Sequence, residues 1–383
     1  MNTRDFLFIL LRFVIKGEPI SKDIFESLNS ERLAALFKIA KLHDVAHLVA
    51  YALEKNGFYL DDIAWQECVK EKELAVLRYE MMRADLDEIA SCLEAAEIDY
   101  IPLKGAVIRS LYPEPWMRTS CDIDILVRES DIDRAIDVLV SRLSYKTDFK
   151  KTGHEVSLFS PFGMHLELHY SISSGIEAYD SLLLRAWDYA SCEGDSHCYK
   201  LTDEFCVFYY TAHIGYHLSG GGCGIKSIID LWLVEQSTEL DKILLGEFLE
   251  KTGLQKLHQE MLTLGQYWMG EIACISELER RTEVFVLLGG SYGTTSSKVA
   301  VNRVKKGGGI RYFLSRIFMP YEKLSMLYPI VKKHKILVPF CQVARWLGAI
   351  SKKRRLSNEM KIAAGMSKEQ EQRINEILNF LEI

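Results

Sequence analysis

Two aspartates separated by one residue are the first place to look for chemistry in this chain. They lie in Cys121-Asp122-Ile123-Asp124-Ile125-Leu126-Val127, where acidic and aliphatic side chains alternate. In an extended strand, side chains two apart share a face. Asp122 and Asp124 therefore project together, while Ile123 and Ile125 point the other way into a core. Neighbouring carboxylates repel each other. A hard cation such as Mg2+ relieves that repulsion and keeps coordination positions for phosphate oxygens. A second strand-like stretch, Met164 to His169, puts His165, Glu167 and His169 on one face and Leu166 and Leu168 on the other. If the two strands are neighbours, Glu167 completes a three-acid cluster of the kind that holds two metals. His169 and His154 are further candidates; their plainer readings are a hydrogen bond to a ligand carboxylate for His169 and a loop histidine for His154.

Upstream, Leu103-Lys104-Gly105-Ala106 reads as a strand-to-helix turn. Glycine lets backbone come close to phosphate, and a helix start offers free amides. Lys104 adds a compact positive charge, and Arg118 is suited to fork onto phosphate oxygens. Taken singly, these features have plainer readings: solvated acids for the Asp pair, and a surface charge or structural ion pair for Lys104 and Arg118. Their conjunction in one short stretch favours the metal and phosphate reading.

The elements that must position these residues follow from periodicity. Up to about Ala96 apolar residues recur at helical spacing, as in Leu33, Leu36, Phe37 and Ala40. Leu74 to Ala96 reads as one long helix, with Leu77, Met81, Leu86, Ile89 and Leu93 on or near one face. From Ile98 the pattern changes. Tyr100 to Leu103 is a strand, Ala106 to Leu111 a helix, and Tyr112-Pro113-Glu114-Pro115 a loop. Asp122 to Val127 is a strand and Asp131 to Leu143 a helix. Glu155 to Phe159 and Met164 to His169 form a hairpin through Ser160-Pro161-Phe162-Gly163. Three regions result: helical 1–97, an α/β core at 98–175, and helical 176–383, with breaks expected at Gly220-Gly221-Gly222 and Gly307-Gly308-Gly309.

Bulk properties fit a globular chain of more than one packed unit: 383 residues, 48% hydrophobic and 26% charged. Nine scattered cysteines without a CxxC pair point to free thiols in a reducing compartment. The apolar run Phe6 to Ile15, interrupted by Arg12, is too short to span a bilayer and reads as a docked amphipathic helix. A cytoplasmic location is expected. The formal charge of -6 hides an asymmetry, because residues 296–355 hold 15 Lys and Arg against one acid, Glu322. That basic segment, interleaved with aromatics, suits RNA or an anionic membrane surface, or is simply a solvated basic face.

His213 and His217, four apart on a probable helix, share a face. Zinc with Cys206, Cys223 or His197 is one reading. Another is that they border the cleft, supported by Lys226 or Asp230, and a third is a buried histidine pair. The loop Gly220-Gly221-Gly222-Cys223-Gly224 lacks a phosphate-loop signature and reads as a mobile connection near the site.

Pro102-Leu103-Lys104-Gly105, Arg118, Asp122-Ile123-Asp124-Ile125-Leu126-Val127 and Glu167-Leu168-His169 resemble the DNA polymerase beta-like nucleotidyltransferase superfamily. More narrowly, they resemble bacterial uncharacterised nucleotidyltransferase family 5. The likeness extends to His213, His217, Lys226 and Asp230, spans most of residues 30–350, and is sharpest between 100 and 170. It implies an α+β protein in which a small mixed sheet is flanked by helical regions, with a Mg2+-dependent triphosphate site. The superfamily's Gly-Ser turn is replaced here by Lys104-Gly105-Ala106. The expected function is transfer of a nucleoside monophosphate from a nucleoside triphosphate to an acceptor. Asp122, Asp124 and Glu167 would be the catalytic metal ligands, and Lys104, Gly105, Arg118, His169, His213 and His217 would lie on the nucleotide. The alternatives are a non-catalytic nucleotide-binding protein on the same fold and a metal-dependent phosphohydrolase.

Overall fold

Alternation of acid and aliphatic residues becomes strand structure where the sequence demands it. The computed structural model describes residues 2–147, 153–237, 239–350 and 353–383. Five strands form the central sheet: β1 (Tyr100–Pro102), β2 (Asp122–Val127), β3 (Lys146–Thr147), β4 (Glu155–Phe159) and β5 (His165–His169). Their order is β1-β2-β5-β4-β3. β2 and β5 run parallel, and the other neighbours are antiparallel. The parallel pair is possible because the helix Ile132–Leu143 and the β3–β4 segment carry the chain back between them. The β4–β5 hairpin closes through Ser160–Gly163, where the Gly163 N–H donates to Ser160 O at 2.9 Å. The chain is thus mostly helical around a small mixed sheet, an α+β architecture.

The two faces of the sheet have different neighbours. Ile123, Ile125, Val127, Leu166 and Leu168 share one apolar cluster with Met82, Ile89 and Leu93 of the helix Ile63–Glu94 and with Ala135 and Leu139 of Ile132–Leu143. On the opposite face, Leu126 joins the main core with Phe205, Phe208 and Tyr209 of the helix Asp203–Ser219. The acids of β2 therefore project toward that helix.

Three features differ from the periodicity reading. The long helix starts at Ile63, where the Asp62 side chain accepts from Trp65 N–H at 2.8 Å. Leu77 and Met81 are exposed, because the side of the helix that meets the sheet is the one carrying Met82, Ile89 and Leu93. A second, two-stranded sheet, β6 (Ala190–Cys192) with β7 (Tyr199–Leu201), abuts β1, where the Tyr100 N–H donates to His197 O at 2.9 Å.

The N-terminal apolar run is the helix Thr3–Lys16, docked on the core: Phe8 stacks on Trp268 at 4.8 Å, and Arg12 Nε donates to Trp268 O at 2.6 Å. The helix Asp203–Ser219 stops before Gly220, and Thr295–Lys305 stops before the Gly307 break. The nine cysteines are unpaired. Among the described residues, no helix is long and apolar enough to cross a membrane. In the basic segment, Lys352 lies outside the described residues, as do the side chains of Lys353, Arg354 and Arg355.

Candidate active site

Register decides which acids meet. Asp122 pairs with His165, and Asp124 with Glu167, across the parallel β2–β5 ladder. Because the pleat alternates on both strands, Asp122, Asp124, His165, Glu167 and His169 share the face opposite the aliphatic cluster. Ligand atoms of Asp124, Glu167 and His169 lie within 4.8 Å of one another, as do those of Asp122, His165 and Glu167, and those of His154, Glu155 and His169. Glu167 belongs to the first two groups, so it links the two aspartates.

Asp124 is the most heavily partnered of the three cluster acids. Lys104 Nζ lies 3.2 Å from its Oδ1, and His169 Nε2 lies 3.0 Å from the same oxygen. Burial alone would raise its pKa, but the charges and hydrogen bonds of Lys104 and His169 outweigh that and hold it well below the usual carboxylate range. Asp122 behaves oppositely: burial, then Asp124 and Glu167, push its carboxyl up. The cluster therefore carries negative charge that Lys104 only partly offsets, and its oxygen-rich donor set fits a hard cation. His169 also places Nδ1 3.6 Å from Glu155 Oε2 and Nε2 3.6 Å from Glu167 Oε2, so it meets three carboxylates.

Lys104 meets Asp124 from a strained turn. It has φ 40° and ψ −109°, a left-handed conformation unusual for a residue with a Cβ. The Leu103 N–H donates to Asp124 O at 3.0 Å, tying the turn to β2. The ammonium sits 6.0 Å from the Tyr209 ring centroid. Burial disfavours its charge, but Tyr209, Asp124 and Asp122 reverse the balance and raise its pKa.

Arg118 is ion-paired with Asp230. Its Nε and Nη2 donate to Asp230 Oδ2 at 3.2 and 2.9 Å, while the Tyr112 hydroxyl donates to Asp230 Oδ1 at 2.8 Å. Its Nη1 presses on the turn: a Cβ built on Gly105 would lie 2.6 Å from that nitrogen. A side chain at 105 would therefore have to displace the Arg118 guanidinium, which is held by Asp230. Lys226 pairs with Asp44 and donates to Thr119 O at 2.9 Å, anchoring the segment just before β2 to the helix Ile225–Ser237. The Tyr112, Asp44 and Tyr209 contacts were invisible to local pattern, since each bridges distant parts of the chain.

His213 and His217 lie beside the acid cluster rather than in it. Their Nε2 atoms are 3.0 Å apart, so one donates to the other. Burial, then the positive charge of Lys104, lowers both, with His217 down to about 4. Among the described residues, no group of three ligating side chains contains either, and His197 is 2.9 Å from Asp99. The zinc reading therefore has no third ligand. Nor is the glycine loop open. A Cβ at Gly222 would lie 2.3 Å from Gly293 Cα, and one at Gly221 2.7 Å from Lys298 N. These glycines serve close backbone packing.

A comparison with curated proteins found no match. Residues 29–270 match a family described as uncharacterised nucleotidyltransferase. The match includes the whole sheet, the Lys104 turn and the helix holding His213 and His217. With the α+β fold, it establishes that the chain belongs to this nucleotidyltransferase family, part of the DNA polymerase beta-like superfamily.

Proposed function

We propose that this protein transfers a nucleoside monophosphate from a nucleoside triphosphate to an acceptor hydroxyl, phosphate or amine, in a Mg2+-dependent reaction that releases pyrophosphate. One observation carries the proposal: Asp124 and Glu167 stand in register on adjacent parallel strands, one pleat from Asp122 and beside Lys104. Asp122, Asp124 and Glu167 would hold the metal, and Glu167, shared by both ligand groups, would serve a second ion if two bind. Bound there, Mg2+ supplies charge neutralisation at the attacked and leaving oxygens.

The chain's own residues do the rest. Lys104 Nζ and the Gly105 amide hold the triphosphate, and the Lys104 charge that now meets Asp124 is shared with phosphate oxygen. Arg118, locked on Asp230, fixes that turn from behind and keeps Nη1 beside it. His169 orients Asp124 through its Nε2 contact. The neutral His213–His217 pair lines the nucleotide cleft next to Lys104. A Glu167 carboxylate oxygen accepts the proton of the attacking acceptor group. Most of the rate enhancement in such chemistry comes from positioning and charge stabilisation.

Incubation with each α-labelled nucleoside triphosphate, Mg2+ and a cell extract tests the proposal. Label in an acceptor is expected, together with pyrophosphate. Free nucleoside monophosphate without a labelled acceptor would identify hydrolysis instead. Mg2+-dependent nucleotide binding that survives Asp122→Asn unchanged would remove the metal-site reading.

A further inference from the structure

The basic segment is remote from the acid cluster in sequence, and it carries two unusual properties at once. The first is charge: 15 Lys and Arg meet one acid between residues 296 and 355. Arg303 pairs with Glu371, and Arg316 with Glu359. Lys306, Arg311, Lys323, Lys332, Lys333 and Lys335 are exposed.

The second is exposed apolar surface in helical stripes. On the helix Gly309–Ile317, Ile310, Phe313 and Leu314 are exposed, Ile310 by 81%. On the helix Val338–Ile350, Phe340, Val343 and Leu347 are exposed, Phe340 by 69% and Leu347 by 63%. Spacings of three and four in the first set, and of three, four and seven in the second, put each set on one side of its helix. The opposite sides are used: Tyr312 is buried with Val299 and Ala363, and Cys341 with Leu324 and Val331. The two helices are tied together, since Trp346 Nε1 donates to Ile317 O at 2.7 Å and the Phe318 and Trp346 rings meet edge to face at 5.9 Å. Ile336, 80% exposed, stands among Lys332, Lys333 and Lys335.

We propose that residues 306–347 form a peripheral docking surface for an anionic phospholipid bilayer. Ile310, Phe313, Phe340 and Leu347 would enter the boundary between headgroups and acyl chains, while Arg311, Lys332, Lys333 and Lys335 would meet the lipid phosphates. Charge complementarity selects this occupant, because a lipid headgroup layer offers anions over a wide area and apolar depth directly beneath. Single-stranded RNA would match the charge, but it recognises aromatic and guanidinium faces and would leave Ile310, Val343 and Leu347 in water. No described helix can cross a bilayer, so the segment lies on the surface.

The test is co-sedimentation of the full chain with phosphatidylcholine vesicles, with and without phosphatidylglycerol. Binding to the phosphatidylglycerol vesicles alone is expected, weakening as salt rises. Phe313→Ser and Phe340→Ser should each weaken it about tenfold, the loss expected for a largely buried aromatic ring. The triple change Lys332→Glu, Lys333→Glu, Lys335→Glu should abolish it. These side chains are exposed, so thermal melts should not move and lost binding cannot be ascribed to misfolding. Equal binding to both vesicle types, no binding, or unchanged binding by the serine variants would overturn the proposal. So would RNA binding without vesicle binding. Self-association that the serine variants abolish, with no vesicle binding, would assign the stripes to a second copy of the chain and overturn it too.

Discussion

Asp124 and Glu167 face each other across the parallel β2–β5 pair, and His169 Nε2 sits 3.0 Å from Asp124 Oδ1 and 3.6 Å from Glu167 Oε2. Three acids with unequal partners make a site whose charges are balanced at Asp124 and unbalanced at Asp122.

Asp122→Asn and Asp124→Asn should therefore have opposite effects on stability and the same effect on activity. The Asp122 carboxyl is pushed up by burial and by its acidic neighbours, so neutralising it relieves repulsion. In metal-free buffer its Tm is expected to rise by about 1–2 °C. Asp124→Asn instead leaves the Lys104 ammonium without its partner, at a cost of about 2 kcal/mol. Both should lower nucleotidyl transfer by about 100-fold or more. Thermal melts beside label transfer check this; equal Tm shifts would contradict the charge assignment.

Metal binding should itself be readable as stability. Mg2+ at about 100 times its Kd is expected to stabilise the fold by about 2.7 kcal/mol, and a chelator should reverse that and stop transfer. Glu167→Gln should remove the metal-dependent gain. His169→Ala, which loses the group orienting Asp124, should weaken apparent Mg2+ affinity about tenfold. Titration of Tm with Mg2+ measures each, and an unaltered titration for Glu167→Gln would exclude it as a ligand.

The Lys104–Gly105 turn should fail through Arg118. Gly105→Ala places a methyl 2.6 Å from Arg118 Nη1, and the guanidinium must shift against Asp230. A loss of about 1–3 kcal/mol is expected. Asp230→Ala strands the same guanidinium and the Tyr112 hydroxyl, at about 3 kcal/mol or more. The alanine at 105 should cost less in an Arg118→Ala background, a coupling that urea unfolding of the four proteins resolves. Strict additivity would show that the close approach is unimportant.

Acid should destabilise the fold between pH 6.5 and 4. His43 and His217 are both lowered from 6.5 to about 4 by burial. A base with a depressed folded pKa is neutral in the fold and protonated when unfolded, so the unfolded chain takes up more protons in that window. Stability is full above pH 6.5 and falls as pH drops toward 4, by about 2 kcal/mol per histidine between pH 7 and pH 5. Urea midpoints at the two pH values check this. His217→Gln should show a shallower loss than the parent chain, and an identical loss would remove His217 as a contributor.

Local sequence made much of the site legible. Alternation in Asp122–Val127 and Met164–His169 placed the acids on one face of each strand, because side-chain direction in a strand depends only on the pleat. The turn at Lys104 was marked by its glycine, though the reason for that glycine was not. It makes room for Arg118, whose partner Asp230 is 112 residues away. The exposed Leu77 and Met81 show the same limit, since helical spacing defines a stripe but not what covers it.

By itself the sequence determined β1, β2, β4 and β5, the paired acids, the family and the basic segment, all of which are encoded in types and short spacings. Tertiary structure alone decided that β5 lies beside β2 in parallel, bringing Glu167 to Asp124 in register. It also decided that Arg118 is held by Asp230 and that His217 faces His213. The physical reason is that strand order and ion pairing are settled by which faces must be buried together. That choice is made by helices far along the chain, beyond the reach of any local periodicity.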